Sequence, residues 1–548
     1  LLDVVSGQTK MARAYSNRAG AVLAAPVSAR ARIVLIAFLA VIYLFNAFEL
    51  RQWLESEVPT GPDQQCYLRQ AQLFEEKGTI GGLNTAIEFE EARYLLSKAK
   101  ALGLTAAPEP QWVVVVAPEC HKYKYATASI ISQYPPGTGF LLSFFPQGKR
   151  VRLLYLVIET ILFGWFAYLV AAAPTKGAAL LRSALGSFAV IQLNYEGYMS
   201  FSLAPSMFLS ILLAFGTVKL LVSQHDWERV LLSAICGALL GISVSLRTAN
   251  ILLAGGFVLA CADMFLRKRQ WNIWPAAFAF AAALGVALIP AFAAHTINAG
   301  YPLATTYGGD DASHPIFTWR QIGEAIDYYF FGEGIGYVFD VGLAVTALFE
   351  SGRRFFKWNA IPYLSFVNNA TWMVAAAYYL THGVLNSYYL IPTALFSTSL
   401  IVFGLCERPL SKPAFAPVTR PVPSAPLAAI ACVCSVILIA GWTVALKQAP
   451  KPADPLPSLE SNAIVWADQS GGLFSYYLKR HTATLDRASP AVQRRVIAAV
   501  AEDSRPQYLI ADSDEMRALI ARTNGAVRVN DMFGYEAYRL EPRSVQAR

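Results

Sequence analysis

Apolar runs of roughly 20 residues, separated by short polar connections, recur along this chain, and that alternation limits its fold more than any other feature. No water lies in the hydrocarbon of a bilayer to satisfy backbone N–H and C=O groups, so only helices and closed barrels span it. Runs suited to helical spans lie near 31–48, 152–173, 179–194, 204–222, 229–247, 250–266, 274–297, 335–350, 360–380, 386–406 and 426–446. The pattern predicts a mainly α fold, a polytopic membrane helical bundle of about eleven transmembrane helices. The run at 335–350 is short and carries Asp340. Composition agrees: 55% of residues are hydrophobic and 15% charged, where a soluble domain has about 25% charged. The formal net charge of +8 does not point to nucleic acid, because the basic residues fall in short clusters between apolar runs.

Those clusters orient the bundle. With the N-terminus in the cytoplasm, the inner connections hold Lys176 and Arg182, then Lys219 and Arg229, then Arg267, Lys268 and Arg269, then Arg353, Arg354 and Lys357, then Arg408, Lys412 and Arg420. The short outer connections hold only Arg247 at a helix end and Arg320 in a longer loop. Without the 335–350 span, Arg353, Arg354 and Lys357 would fall outside, so the charge bias retains it. The chain begins with Leu1, and Met11 is a candidate start. After the first run, Glu49 to Trp53 offers no small-residue cleavage site, which predicts an uncleaved first span.

This topology divides the chain into a cytoplasmic N-terminus at 1–30, a membrane domain at 31–446 that includes a long first outer loop at 49–150, and a small C-terminal α/β domain at 447–548, also outside. The Pro-rich stretch 409–426 is the last inner connector. In the tail, 462–466, 506–510 and 534–540 read as strands, and 489–501 and 513–523 as helices opened by Ser489-Pro490 and Ser513. Asp512 and Asp514 read there as turn and cap residues.

The spans read as apolar and no internal repeat is found, whereas polar residues gather at the outer helix ends and in the outer loops. A transporter is expected to show intramembrane charges or repeated halves. The pattern places a site at the outer membrane–water boundary. Asp63 follows Pro59-Thr60-Gly61-Pro62 at the start of an amphipathic stretch. It is either a helix N-cap or a general base held near the bilayer surface. The seven cysteines are too few and too scattered for a disulfide scaffold or a CxxC metal site, and Cys432 and Cys434 read as small lipid-facing or packing residues. Cys66 and Cys120 are the two in the first outer loop, where an oxidising compartment would let them pair, although their spacing does not settle whether they meet.

The first outer loop ends in Ser132-Gln133-Tyr134-Pro135-Pro136-Gly137-Thr138-Gly139-Phe140, ahead of the second span. Tyr-Pro-Pro-Gly in that place, with an acidic residue early in the same loop and Tyr67 and Ala71 after it, resembles the membrane glycosyltransferases of the GT-C fold. That superfamily includes protein O-mannosyltransferases and the aminoarabinose transferase that modifies lipid A. Further stretches are similar in the same order: Gly241 to Asn250 with Arg247, Asn298 to Leu303 with Thr306 and Tyr307, and Asn386 to Pro392. The chain departs from the pattern in having Tyr388 where many relatives have Arg, and Gln64 where several have a second acidic residue.

The resemblance implies an enzyme of a bacterial inner membrane that moves a sugar from a polyprenyl-phosphate donor to an envelope acceptor at the periplasmic face. Asp63 would be its catalytic base, and the Pro-Pro-Gly element would lead a re-entrant or interfacial helix. Arg247 would meet the phosphate, because a guanidinium suits bidentate phosphate contact; as a lone residue it reads equally as one snorkelling to lipid headgroups. Tyr67, Tyr134, Glu196, Tyr307, His382 and Tyr388 are the other candidate substrate contacts, with Glu196 in a short outer connection. A divalent metal has weak candidate ligands in Asp310, Asp311 and His314, which read otherwise as a solvated turn. Rival readings are a lipid or polysaccharide transporter, a scaffold that kept the fold and lost activity, and an O-antigen ligase-like enzyme with a diphosphate donor.

Overall fold

A computed structural model describes residues 25–53, 62–106, 115–117, 120–124, 126–197, 200–304, 306, 317–331, 361, 363–383, 385, 387–407, 459–468 and 470–540. The expected spans at 335–350 and 426–446 lie outside these residues. So do Tyr307, Asp310, Asp311 and His314.

The first span is α1 (Ala29–Trp53). The long connection after it contains α2 (Pro62–Gly81), α3 (Glu90–Ala101), an antiparallel hairpin of β1 (His121–Lys124) and β2 (Ser129–Ser132), and the short α4 (Pro136–Ser143). The membrane helices resume with α5 (Arg150–Ala171), α6 (Lys176–Gly197), α7 (Leu203–Val222) and α8 (Asp226–Leu246). A 3-10 turn at Thr248–Leu253 leads into α9 (Ala254–Ala262) and a closing π turn, and α10 (Trp274–Ala299) follows. The short α11 (Trp319–Ile326) precedes α12 (Leu364–Tyr379) and α13 (Ile391–Cys406). Among the described residues, six helical segments are long and apolar enough to cross a membrane: α1, α5, α7, α8, the 20 residues of Thr248–Arg267, and α10.

Burial separates the lipid-facing from the packed helices. Along α1 and α10, Val34, Phe38, Val41, Phe278, Val286 and Ile289 are exposed, as a surface in contact with acyl chains requires. The α5, α7 and α13 helices enclose the interior, where the rings of Trp165, Phe166, Phe215 and Phe403 pack with centroids 5.2 to 6.3 Å apart, Phe166 stacked on Phe403 and Phe215 edge-on to Trp165 and Phe403. Tyr43 of α1 stacks on Phe163 and shares a 2.8 Å hydrogen bond with Thr160 of α5. At one end of the bundle Glu407 accepts from Lys219 at 2.8 Å and lies 3.8 Å from Arg182. These basic residues come from two connections that the charge alternation puts on the same side.

The tail folds as a sheet in the order β4 (Thr482–Ala483), β3 (Ile464–Trp466), β5 (Gln507–Ile510), β7 (Ala537–Leu540), β6 (Ala526–Arg528). The first three strands run parallel and the last two pairings are antiparallel. Its helices are α14 (Gly471–Tyr477), α15 (Pro490–Glu502) and α16 (Asp514–Arg522). Ser513 caps α16 by accepting from the Met516 amide, as its residue type predicts, whereas Ser489 places α15 without a side-chain cap. The very short β4 and β6 carry no alternation that a sequence reading can use.

The tail is not a free appendage. Ala92, Leu95 and Ala99 of α3 and Ile130 of β2 share one buried cluster with Ile464, Trp466, Leu509 and Val500 of the tail. Charged pairs surround it: Arg480–Glu91 at 2.7 Å, Lys98–Asp503 at 2.6 Å and Arg505–Glu90 at 2.5 Å. The Arg505 guanidinium holds the Glu90 carboxyl below its usual range, and Lys98 with Tyr94 does the same for Asp503. Arg150, fully buried at the start of α5, closes the arrangement. It donates to the Phe145 carbonyl at 3.2 Å and to the Tyr476 hydroxyl of α14 at 3.3 Å, and it pairs with Glu75 of α2.

Cys66 and Cys120 form the disulfide, with Cα atoms 6.2 Å apart across a separation of 54 residues. Closing a loop of that length constrains the unfolded chain by roughly 4 kcal/mol. Burial, and then the neighbouring charges of His481 and Arg69, push the imidazole of His121 down to about 3, so it is neutral at physiological pH.

Replacement of Arg150 by Met is expected to cost about 3 kcal/mol, since Glu75 then loses its cation and the Phe145 carbonyl and Tyr476 hydroxyl lose their donor. The measurement is the thermal midpoint in detergent together with protease release of the tail; an unchanged midpoint and a protected tail would contradict the role given to Arg150.

A second expectation concerns Asp486, whose carboxyl oxygens are buried without a hydrogen-bond partner among the described residues. Burial, then the Asp468 charge, raises its pKa to about 7. The folded chain therefore holds a proton that the unfolded chain releases near pH 4, and stability falls as pH rises from about 4 through about 7. Asp486→Asn should flatten that part of the pH profile of the thermal midpoint and raise the midpoint at pH 8.

Candidate functional site

The site begins where α8 stops. At Arg247 the backbone turns to an extended conformation, φ −152° and ψ 115°, before the 3-10 turn begins. The buried Asn250 holds this break: its amide nitrogen donates to the Ser243 carbonyl at 2.9 Å, the Ser243 hydroxyl at 2.8 Å and the Ser206 hydroxyl of α7 at 3.0 Å. Ser206 and Ser243 are themselves buried. Two neighbouring helices thus fix the backbone that carries the guanidinium.

Arg247 does not reach outward. It is buried, with the rings of Tyr388 and Tyr389 at 4.8 and 4.9 Å from its guanidinium carbon. The hydroxyls of Tyr67 and Tyr379 also lie within electrostatic reach. Among the described residues no carboxylate pairs with it. Cation–π contacts of this kind contribute about 2 kcal/mol each when desolvated, but they leave the guanidinium N–H groups free of an anion. The snorkelling reading of Arg247 is therefore corrected: the side chain is folded under a tyrosine cluster. The departure at Tyr388 also has a structural role, since its ring lies against Arg247.

The α4 helix joins this cation to the first long connection. Pro136 occupies its first position, where a missing N–H costs nothing. Thr138 donates to the Leu246 carbonyl at 3.2 Å. A Cβ on Gly137 would stand 2.5 Å from the Ser245 carbonyl oxygen, and one on Gly139 would stand 2.4 Å from Cβ of Gln70 on α2. Two glycines therefore let α4 press against α8 on one side and α2 on the other. Gln70 closes the contact by donating to the Tyr134 carbonyl at 2.8 Å. The expected short helix after Pro-Pro-Gly is present, and these contacts explain why its residues are small.

Tyr67 and Tyr134 are both buried, with rings 4.8 Å apart. Asp63 lies in the first turn of α2, one turn before Tyr67, so the N-cap reading is corrected: α2 starts at Pro62 and Asp63 is inside it. A carboxylate in a first turn is favoured by the helix dipole. Glu196, expected in a connection, belongs to the last turn of α6, because helix extends through Gly197. His382 is buried, stacks on Tyr378 at 4.9 Å and lies 6.0 Å from Tyr389, so it borders the tyrosine cluster. The structure brings together Arg247, Tyr67, Tyr134, Tyr388 and His382.

Sequence reasoning missed Tyr379 and Tyr389 in the cluster, and Glu159 on α5. Glu159 is buried with both carboxyl oxygens unpartnered among the described residues, inside a span that was read as apolar. A lone acidic residue in that run was the available signal.

In the tail, Asp512 follows β5 near the carboxyl ends of the parallel strands β3 and β5, the end of such sheets where ligands commonly bind. Its carboxylate accepts from the Asp468 amide at 3.2 Å and from the Ser470 amide and hydroxyl at 2.6 Å. Asp512 is thus a turn residue, as expected.

No protein-family model matches the chain, and no curated protein matches it. Among solved structures it is similar to ArnT from Cupriavidus metallidurans in the apo state, at 13% identity and a TM-score of 0.44, over 85% of this chain and 96% of that one. It is likewise similar to ArnT from the same organism bound to undecaprenyl phosphate, at 12% identity and a TM-score of 0.39, over 92% of this chain and 97% of the other.

Proposed function

We propose that the chain is a GT-C-type glycosyltransferase that moves a sugar from a polyprenyl-phosphate donor to an acceptor at the outer membrane surface. The observation that carries this reading is Arg247: a buried cation, walled by tyrosines, with no carboxylate partner among the described residues. A buried charge normally has a counter-ion, and a lipid-linked phosphate supplies one from the membrane side.

The acceptor hydroxyl attacks the anomeric carbon while the bond from that carbon to the phosphate oxygen breaks. Asp63 takes the hydroxyl proton, and the phosphate departs with the bonding pair onto the guanidinium of Arg247. One displacement inverts the anomeric configuration. Tyr67 and Tyr134 would line the path between base and cation, and Tyr388 would hold Arg247 in place. The outer face is the periplasmic side of a bacterial inner membrane in this reading, with the tail on the same side.

Arg247→Gln, which is shorter but keeps hydrogen bonding without charge, should lower transfer from a radiolabelled polyprenyl-phosphate sugar by about 100-fold or more. Asp63→Asn should do the same with normal membrane accumulation. Near-parental transfer by a well-expressed form of either variant would sink the corresponding assignment.

The α4 wedge gives a separate test. Gly137→Ala meets a backbone carbonyl that cannot swing away, so α4 must shift by some tenths of an ångström relative to α8. Misplacement near the reacting groups is costly, and transfer should fall at least about tenfold while the thermal midpoint moves little. Unchanged turnover would show that α4 does not position the site.

A further inference from the structure

The disulfide between Cys66 and Cys120 has a third group beside it that a simple staple does not require. His121 opens β1, and its Nδ1 lies 3.6 Å from Cys66 Sγ and 3.5 Å from Cys120 Sγ. All three side chains are buried. In a tetrahedral zinc site, Zn–S bonds of about 2.3 Å and a Zn–N bond of about 2.0–2.1 Å set sulfur and nitrogen about 3.5 Å apart. Both observed separations match that edge, while the sulfur–sulfur edge of about 3.8 Å is reached only once the disulfide is opened. The three ligand atoms lie within 4.8 Å of one another.

A fourth position is available. A cavity of about 20 Å³ is lined by Cys66 and His121 together with Arg69, Gln70, Thr85 and Ser132. It has room for one water and polar groups to hold it. Gln70 is almost wholly buried, and its Oε1 has no hydrogen-bond partner among the described residues. A water bound to a metal would donate to such an acceptor.

The geometry points to a redox-gated zinc site: with the disulfide reduced, Cys66 Sγ, Cys120 Sγ and His121 Nδ1 bind one Zn²⁺, and water from the adjoining cavity completes the coordination. A dithiol donor opens the bond by passing two electrons and two protons to it, leaving two thiols here and a disulfide in the donor. Zn²⁺ then displaces both thiol protons, and the thiolates with the neutral imidazole become ligands. Reoxidation returns the electron pair to an acceptor disulfide, rejoins the sulfurs and releases the ion. Either state ties α2 to β1, so the long connection stays anchored whether stapled or metal-bound. The site stands independently of the transferase reading.

The test uses the full chain in detergent, reduced with a phosphine that is then removed without air, and titrated with Co²⁺ as a spectroscopic stand-in for Zn²⁺. One Co²⁺ per chain, with thiolate-to-cobalt charge-transfer bands, tetrahedral visible bands and displacement by Zn²⁺, is the expected result. The oxidised chain should bind none. Cys66→Ser and His121→Gln should each weaken binding tenfold or more. The parent is read first, so a variant that fails to fold does not decide the outcome. Three results would overturn the site: no stoichiometric Co²⁺ on the reduced parent, binding undiminished in folded His121→Gln, or a disulfide that the phosphine cannot open in the folded chain.

Discussion

Arg150 is the point where the membrane bundle, the long first connection and the C-terminal sheet are joined. A fully buried guanidinium is tolerated only when its charge and its donors are met. Here Glu75 of α2, the carbonyl that ends the turn after α4, and a tyrosine of α14 meet them together. The short connection from Phe144 to Lys149 joins α4 to α5, so fixing Arg150 also anchors the helix that packs against the end of α8 just before Arg247. The site is thus braced by an ion pair far earlier in the chain than its cation.

The same logic explains the difference between the two buried arginines. Arg150 has its carboxylate, and its role is cohesion. Arg247 has aromatic faces and a helix break held by Asn250, yet no carboxylate among the described residues. Aromatic rings stabilise a cation without neutralising it, which leaves the charge available to an anion that arrives from outside the fold. This distinction, rather than the presence of an arginine, makes the region a candidate for phosphate chemistry.

The tail has a corresponding division. Its parallel strands end where sheets of this kind commonly take a ligand, but Asp512 occupies the Asp468 and Ser470 amides there. Its other surface is spent on α3, through Trp466, Leu509 and the surrounding ion pairs. The sheet therefore reads as a brace for the first connection, which carries Asp63, Tyr67 and the disulfide.

How much of this was legible in sequence depends on the range of the interaction. Apolar run length marked the helices from 31–48 to 386–406 that fall among the described residues, because lipid imposes it locally. The short helix at Pro136 was expected only from the resemblance, since Gly137 and Gly139 do not by themselves favour helix. Ser513 announced a helix start, because its side chain caps the local backbone. The partners of these elements were not legible: that Gly137 faces Ser245, that Tyr388 lies on Arg247, or that Cys66 meets Cys120 beside His121 requires segments from 54 to about 140 residues apart to be placed first. Sequence by itself determined a membrane chain with a polar outer region and the helix periods within it. Only the tertiary structure decided which buried charges are paired and which wait for a partner, because pairing depends on through-space distance and burial that no local pattern encodes.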